Sequence, residues 1–400
     1  MNRLRAISKA LAAVVLCALL VTPPCAWADG DRDRKAADEE IELGRKAAAE
    51  NDKQVKLVTD PAILDRVTRI GNELAAIANT IEVPMLWGRP GLKQLPYTFK
   101  VVEDKDVNAY SLPGGFIYVN TGLLDFVKSD DELAGVLGHE IAHAAHHHMM
   151  RLISEQEKMQ WIALGPALAS ILLGKGGTDT TSNLLLAGQL YMIAKLNTYG
   201  VEAEKDSDHA AVYYMSKSRY NPVGLLTFME RLGRRERLRP EVELGIYRTH
   251  PPSIERSQSM IALLTQLKIP INRRAVDPTI GARVETVTHE SVTYADVTMN
   301  GTRIIRLADA GATSADTRAK TLAETVNRLF DDNLVSFDLA LSGDKTRVLA
   351  RRRTLIAVSE ADARGAGQTV QATAEGALNA LRNLLWQDQF NRTPTTASVP

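Results

Sequence analysis

The most constraining feature of this chain is the stretch at residues 137–150, LGHEIAHAAHHHMM, which contains the pattern H-E-x-x-H at His139, Glu140 and His143. Two histidines four residues apart on a helix project from the same face, one turn apart. Their imidazoles can therefore bind one tetrahedral Zn²⁺, and a strand or a loop would not align them in this way. The sequence predicts a helix at this stretch and one zinc ion per chain.

Glu140 lies between the two histidines and is offset around the same helix. From that position it need not bind the metal, and it can act as the general base that takes a proton from an attacking water. The flanking residues favour the helix. Ser129 and Glu132 form a capping-box pattern, and apolar residues recur at helical spacing at Leu133, Val136, Leu137 and Ile141.

The N-terminus has the composition of an export signal. Arg3, Arg5 and Lys9 precede an apolar run at residues 10–21, and Ala26-Trp27-Ala28 is typical of a cleavage site. We expect residues 1–28 to be a cleaved signal peptide and the mature protein to be periplasmic; an uncleaved membrane anchor is the alternative. Both cysteines fall inside this segment, which excludes disulfide and thiol chemistry from the mature chain. The charge pattern indicates no nucleic-acid partner.

The mature chain begins with amphipathic helical patterns and then changes to an alternating, strand-like pattern between residues 96 and 124. Phe116–Asn120 is a candidate for an edge strand that holds a substrate by backbone pairing, and an ordinary core hairpin is equally consistent. The apolar run at residues 161–174 is too short to span a bilayer. It is either a buried or surface-lying hairpin, or an apolar lid or peripheral membrane-contacting element beside the active site.

A catalytic zinc site needs three protein ligands and one open position. The stretch VEAEKDSD at residues 201–208 opens another helical pattern, in which Glu202 and Asp206 are four residues apart. Such a pair suits a glutamate ligand together with an aspartate that accepts the N–H of a metal-bound histidine. The alternative is an ordinary solvated acidic face.

Four motifs in this order resemble the periplasmic zinc peptidases related to the CAAX prenyl protease group, a gluzincin family. They are HEIAHAAHHH, Glu202-x-x-x-Asp206, Tyr220-Asn221-Pro222, and Thr249-His250-Pro251-Pro252 with Arg256. The resemblance covers roughly residues 40–267. It departs from the usual family pattern at Glu204-Lys205-Asp206, where alanine commonly precedes the aspartate.

The resemblance implies that His139, His143 and Glu202 bind zinc, that Glu140 is the general base and that Asp206 supports a ligand. It also implies that His250 and Arg256 approach the metal from a loop and stabilise the oxyanion. His250 precedes two prolines, so a stiff turn could deliver it either to a tetrahedral intermediate or to the open zinc position. A surface-turn histidine is the alternative. His146, His147 and His148 are interpreted as helix-end charges or structural hydrogen-bonding groups.

The predicted fold class is α+β. A mainly helical zincin-type metalloprotease domain with a small sheet, residues 29–270, precedes a small α+β accessory domain, residues 279–390, which docks a partner or supports the protease. The predicted function is an exported zinc endopeptidase that hydrolyses protein substrates, including misfolded envelope proteins by the resemblance. One alternative is a chaperone-like or binding protein with a structural or latent zinc site. The other is a membrane-bound prenyl-protein protease, against which the lack of a spanning segment in the mature chain argues.

Overall fold

The computed structural model describes residues 26–89, 94–160, 199–238, 245–246, 250, 254–289 and 292–391. Most of the predicted signal peptide and the apolar run at residues 161–174 lie outside this range, as do Pro251 and Pro252. Within the described residues, no helix combines the length and the apolar character needed to cross a lipid bilayer.

The N-terminal part contains one small mixed sheet surrounded by helices. Its elements are α1 (Ala26–Gln54), α2 (Pro61–Ala78), β1 (Thr98–Val102), β2 (Ala109–Leu112), β3 (Phe116–Asn120), α3 (Thr121–Phe126), α4 (Asp130–Ala145), α5 (His148–Gln160), α6 (Val201–Ser216), α7 (Val223–Leu238), α8 (Ile254–Gln266) and α9 (Arg273–Val276).

The sheet order is β1-β3-β2, with β3 parallel to β1 and antiparallel to β2. Strand β3 is therefore hydrogen-bonded on both sides. The prediction that Phe116–Asn120 is an edge strand for the substrate is wrong, because a strand with two partners has no backbone groups left for a third. The sharp reversal before β3 uses Gly114 at φ +74°, a backbone conformation that glycine adopts without strain.

Helix α4 is the centre of this part of the molecule, and its residues from Glu132 to Ala144 are buried. The Ser129 hydroxyl caps it by accepting the Glu132 N–H, whereas the Glu132 carboxylate accepts the Lys128 N–H and pairs with Arg231. Helix α4 packs closely on its neighbour α7, since a Cβ at Gly135 would lie 2.8 Å from the Leu225 backbone. This close packing fixes the face of α4 that carries the histidines.

The C-terminal part has two antiparallel sheets, ordered β4-β5-β6 and β7-β8-β9. Its elements are β4 (Arg283–His289), β5 (Val292–Met299), β6 (Thr302–Leu307), α10 (Ala315–Asp331), β7 (Leu339–Leu341), β8 (Arg347–Ala350), β9 (Arg353–Ala357), α11 (Glu360–Ala366) and α12 (Val370–Asn391). Strand β5, the centre of its sheet, and helix α11 were not predicted from the sequence.

The two parts have separate hydrophobic cores, and the α+β fold class is confirmed. Charged pairs from α9 connect them. Arg273 donates twice to Glu230 at 2.7 Å, and the buried Arg274 donates to Asp331 of α10 at 2.7 Å and to Asp388 of α12 at 2.5 Å.

Candidate metal centre

His139 and His143 occupy adjacent turns of α4 and direct their Nε2 atoms to the same point. These two nitrogens are 3.0 Å apart, and both side chains are buried. The N-terminal capping of α4 and its close packing on α7 hold the two rings in this arrangement. The spacing predicted from H-E-x-x-H therefore produces a convergent pair of nitrogen donors.

Glu204, on α6, lies opposite this pair. Its Oε2 is 3.3 Å from His139 Nε2, and its Oε1 is 3.4 Å from His143 Nε2. His250 completes the group, with Nδ1 3.0 Å from Glu204 Oε1. One donor atom from each of these four residues lies within 4.8 Å of all the others. Three imidazoles and a carboxylate at this separation suit a single tetrahedral zinc ion.

The structure contradicts the choice of Glu202 as the third ligand, since its side chain is exposed near the start of α6 while Glu204 is buried. The stretch VEAEKDSD contains two acid pairs at four-residue spacing, 202/206 and 204/208. A shift of two residues turns a side chain by about 200° around a helix, so only one pair can face α4.

Asp208 has the supporting role that was predicted for Asp206. It accepts the Nδ1–H of His139 at 2.9 Å and is itself buried. This contact fixes the tautomer in which His139 Nε2 is free for a metal. Burial opposes ionisation of Asp208, but Arg256 and His139 outweigh it and hold the pKa of its carboxyl below the ordinary value.

Arg256 lies on helix α8, not on a loop, and is almost completely buried. Its Nε and Nη2 donate to Asp208 at 2.8 Å, and its Nη1 is 2.8 Å from Glu204 Oε2. The predicted oxyanion role of Arg256 is thereby corrected. The guanidinium is occupied by two carboxylates that belong to the metal centre, and it positions them.

Asp206 turns away from the four donors and forms a second buried group. Its Oδ1 accepts the backbone N–H of Trp87 at 3.0 Å and that of Leu86, and its Oδ2 is bonded to His146 and His148. His146 and His148, interpreted from the sequence as structural groups, thus have defined hydrogen bonds. The prediction that Asp206 contacts a metal-bound histidine is wrong.

His250 is 4% exposed, which excludes the surface-turn alternative. Its Nδ1 is among the four donors, and its Nε2 is 3.3 Å from Glu140 Oε1. Of the two roles that the sequence left open for His250, this arrangement favours the one in which it occupies the fourth metal position.

Glu140 is 1% exposed, and its Oε2 has no hydrogen-bond partner among the described residues. An unpaired buried carboxylate oxygen beside a metal site is available to accept a proton. Tyr199, which sequence reasoning did not single out, stacks on His143 with ring centroids 4.1 Å apart. Its pKa is raised by burial and by the nearby charges of Glu140 and Glu204, so the tyrosine stays neutral.

The electrostatics of the two helix histidines differ. For His139, burial favours the neutral ring, but Asp208 and Glu204 outweigh it and raise the pKa to about 9. For His143, burial dominates and lowers the pKa well below the ordinary value. A cation placed between the two Nε2 atoms would replace the proton of His139 and use the lone pair of His143. The donor set therefore fits a metal ion.

Comparison with known families agrees with this arrangement: residues 66–263 match the model of Peptidase family M48. These residues are a peptidase family M48 domain. The metallopeptidase family expected from the motifs is thus confirmed. Residues 296–387 match a separate domain of unknown function (DUF8459), which lies within the C-terminal part.

Relatives of this M48 domain come from bacteria and a fungus. The beta-barrel assembly-enhancing protease of Yersinia pestis is 25% identical over 54% of this chain and 41% of that protein. The metalloprotease LoiP of Escherichia coli is 27% identical over 52% of this chain and 79% of that protein. The mitochondrial metalloendopeptidase OMA1 of Schizosaccharomyces pombe is 27% identical over 45% of this chain and 50% of that protein. This chain spans only 36% to 41% of the beta-barrel assembly-enhancing proteases of E. coli and Y. pestis.

The acid pair of the M48 domain could have been assigned from a longer stripe on α6. Ala211 and Met215 follow Glu204 and Asp208 at helical spacing, and Gly138 of α4 is close enough for an added Cβ to lie 3.4 Å from Ala211. On the helix face of Glu202 and Asp206, the next positions at helical spacing are His209 and Tyr213, and these two side chains are only half-buried. The continuation of the apolar stripe was the missing signal.

Proposed function

We propose that this chain is a zinc-dependent endopeptidase that hydrolyses protein substrates in the bacterial periplasm, including misfolded envelope proteins. The convergence of His139, His143, Glu204 and His250 on one point beside Glu140, whose Oε2 has no hydrogen-bond partner among the described residues, carries this proposal. The export pattern at residues 1–28 supports the location. The relatives named as proteases support the substrate class.

A zinc ion held by these residues would polarise the scissile carbonyl and lower the pKa of the attacking water. Glu140 takes the proton from that water and passes it to the leaving amine, for which its Oε2 is available. Asp208 keeps the Nδ1 proton on His139, and Arg256 neutralises the combined charge of Asp208 and Glu204. These buried contacts hold the donors in place before a substrate arrives.

His250 has a distinct part in the proposed cycle. A catalytic zinc site keeps one open position, whereas the four residues here would supply four protein donors to a bound ion. With all four donors bound, His250 would have to withdraw before water and substrate could both approach the site. Once displaced, its Nε2–H could donate to the tetrahedral intermediate, the other role considered from the sequence.

The presence of four possible protein donors also favours a second candidate, a chaperone-like or binding protein with a latent zinc site. The Glu140→Gln variant separates the two candidates because it keeps all four donors and removes only the base. For the peptidase we expect one zinc per chain by elemental analysis and loss of casein hydrolysis. If Glu140→Gln digests casein as fast as wild type, the peptidase assignment fails. Full cellular function of this variant would favour the latent site.

We further propose that residues 279–390 form an accessory domain that docks a partner or substrate. The buried ion pairs of Arg273 and Arg274 attach this domain to the peptidase domain. Deletion of this domain should impair cleavage of natural substrates in the cell more than it impairs casein hydrolysis in a proteolysis assay. Equal loss for both substrates would indicate that the domain only supports packing.

A further inference from the structure

We propose that His148 is a positioning residue for the metal centre. Its ring accepts the Nδ1–H of the ligand His143, and Asp206 holds the ring of His148 in the accepting tautomer. This inference rests on the metal centre proposed above. It concerns a residue that does not touch the metal and acts only through His143.

The contact that carries the inference is between two Nδ1 atoms. His148 Nδ1 lies 2.9 Å from His143 Nδ1, and both rings are completely buried. His143 presents its Nε2 to the other donors, and a neutral imidazole that binds metal through Nε2 carries its proton on Nδ1. The Nδ1 of His143 is therefore the donor, and the Nδ1 of His148 has to be the acceptor.

The surroundings of His148 independently require the same tautomer. Its Nε2 is 2.8 Å from the carbonyl oxygen of Trp87 and 3.0 Å from Asp206 Oδ2. Both partners are acceptors, so Nε2 carries the proton and Nδ1 is left with a lone pair. The Ser207 hydroxyl, 3.3 Å away, can donate to the same Nδ1. Asp206 is in turn held by the backbone N–H groups of Leu86 and Trp87.

Each helix histidine thus has its own acceptor. His139 donates to the carboxylate Asp208, and His143 donates to the neutral ring of His148. Such acceptors fix the orientation and the tautomer of metal-binding imidazoles. Because His148 is anchored to the segment around Trp87, the orientation of His143 depends on that segment as well.

The buried group His146, His148 and Asp206 could alternatively hold a second metal ion, since its donor atoms lie within 4.8 Å of one another. An ion on His148 Nε2 would move the proton of that ring to Nδ1. Two N–H groups would then face each other at 2.9 Å when His143 also binds metal through Nε2. Occupancy of the first site therefore excludes the second and leaves His148 its hydrogen-bonding role.

The test measures zinc affinity of the full chain by competition with a chromophoric chelator. His148→Leu removes the acceptor, and we expect about 10–100-fold weaker zinc binding and a changed d–d spectrum of the Co²⁺-loaded protein. His148→Gln keeps an acceptor oxygen and an N–H donor in one side chain, so it should recover most of the affinity. Wild type should bind one ion.

His147→Asn is the matched control. His147 is also buried, bonds Glu40 at 2.7 Å and has φ +52°, a conformation that asparagine tolerates. It should bind zinc as wild type does. The proposal is overturned if folded His148→Leu keeps wild-type affinity, if His147→Asn loses as much affinity, or if wild type binds a second ion at His146 and Asp206.

Two further variants keep the result interpretable. If His148→Leu does not fold, Asp206→Asn serves as the second variant. It replaces a carboxylate oxygen that accepts the His148 Nε2–H by an N–H donor, and it should also weaken zinc binding. Unchanged zinc affinity of Asp206→Asn would overturn the inference. Glu204→Ala reports on the metal centre itself. If Glu204→Ala retains zinc, the proposed function is refuted. If Glu204→Ala loses zinc but the His148 and Asp206 variants bind zinc with wild-type affinity, only the inference about His148 is refuted.

Discussion

Arg256 donates from Nε and Nη2 to both carboxylate oxygens of Asp208, and the Asp208 oxygen that receives Nη2 also accepts the Nδ1–H of His139. Helix α8, which carries Arg256, therefore controls the tautomer of His139, a candidate metal donor on α4. The carboxylate is shared, so a change at Arg256 is transmitted to His139.

Removal of this guanidinium should be costly. Arg256→Ala leaves Glu204 and Asp208 as uncompensated buried charges, and we expect a loss of about 3–5 kcal/mol in the free energy of unfolding of the metal-free protein. Urea titration followed by circular dichroism measures this loss. Zinc should restore part of it, because the ion partly replaces the missing positive charge. A loss of less than about 1 kcal/mol would contradict the contacts described for Arg256.

The two acids of α6 provide a matched pair of variants. Glu204→Ala removes one of the four donors. The variant should therefore lose zinc on dialysis, and it should lose casein hydrolysis together with the zinc. Glu202→Ala changes an exposed side chain two residues away, and its zinc content and casein hydrolysis should equal those of wild type. Elemental analysis after dialysis distinguishes them, and the reverse pattern would return the ligand assignment to Glu202.

His250→Ala should open the fourth position of the metal centre. Three donors remain, which is the number found in catalytic zinc sites, so we expect zinc to be retained with reduced affinity and casein hydrolysis to rise. The control is the double variant with Glu140→Gln, which should be inactive. A fall in kcat at unchanged zinc content would instead show that His250 acts mainly as a donor to the tetrahedral intermediate.

The accessory domain should lose stability in acid through Asp362. Burial alone would raise the pKa of this carboxyl, but Arg318 and the backbone N–H groups of Ala308 and Ser359 hold it below the ordinary value. The stabilisation is therefore fully present above the pKa of an unfolded aspartate, about 3.9, and is lost as the pH falls through the lower folded value.

Hydrogen exchange of peptides from β6 and α10 measures this effect. Asp362→Asn should exchange faster than wild type at pH 6, and the difference should shrink once the pH falls below about 3.9, where the unfolded aspartate takes up a proton more readily than the folded one. A difference that does not change with pH would mean that Asp362 contributes through packing rather than through its charge.

Local periodicity was sufficient to predict the helix that carries His139, Glu140 and His143. A four-residue spacing on a helix fixes the relative positions of the side chains without any tertiary contact. The α+β class, most elements and the family resemblance were accessible for the same reason. They depend on patterns within short stretches of the chain.

Tertiary structure decided which side chains meet across elements. The spacing within VEAEKDSD fits two acid pairs equally well; the apolar stripe that continues to Ala211 and Met215 favours Glu204 and Asp208, and the packing of α6 against α4 brings that pair to the two histidines. The same holds for the central position of β3, the burial of Arg256 between two carboxylates, and the contact of His148 with His143. A helix defines its own faces from its sequence, but the face that docks depends on the shape and charge of distant partners, which no local pattern contains.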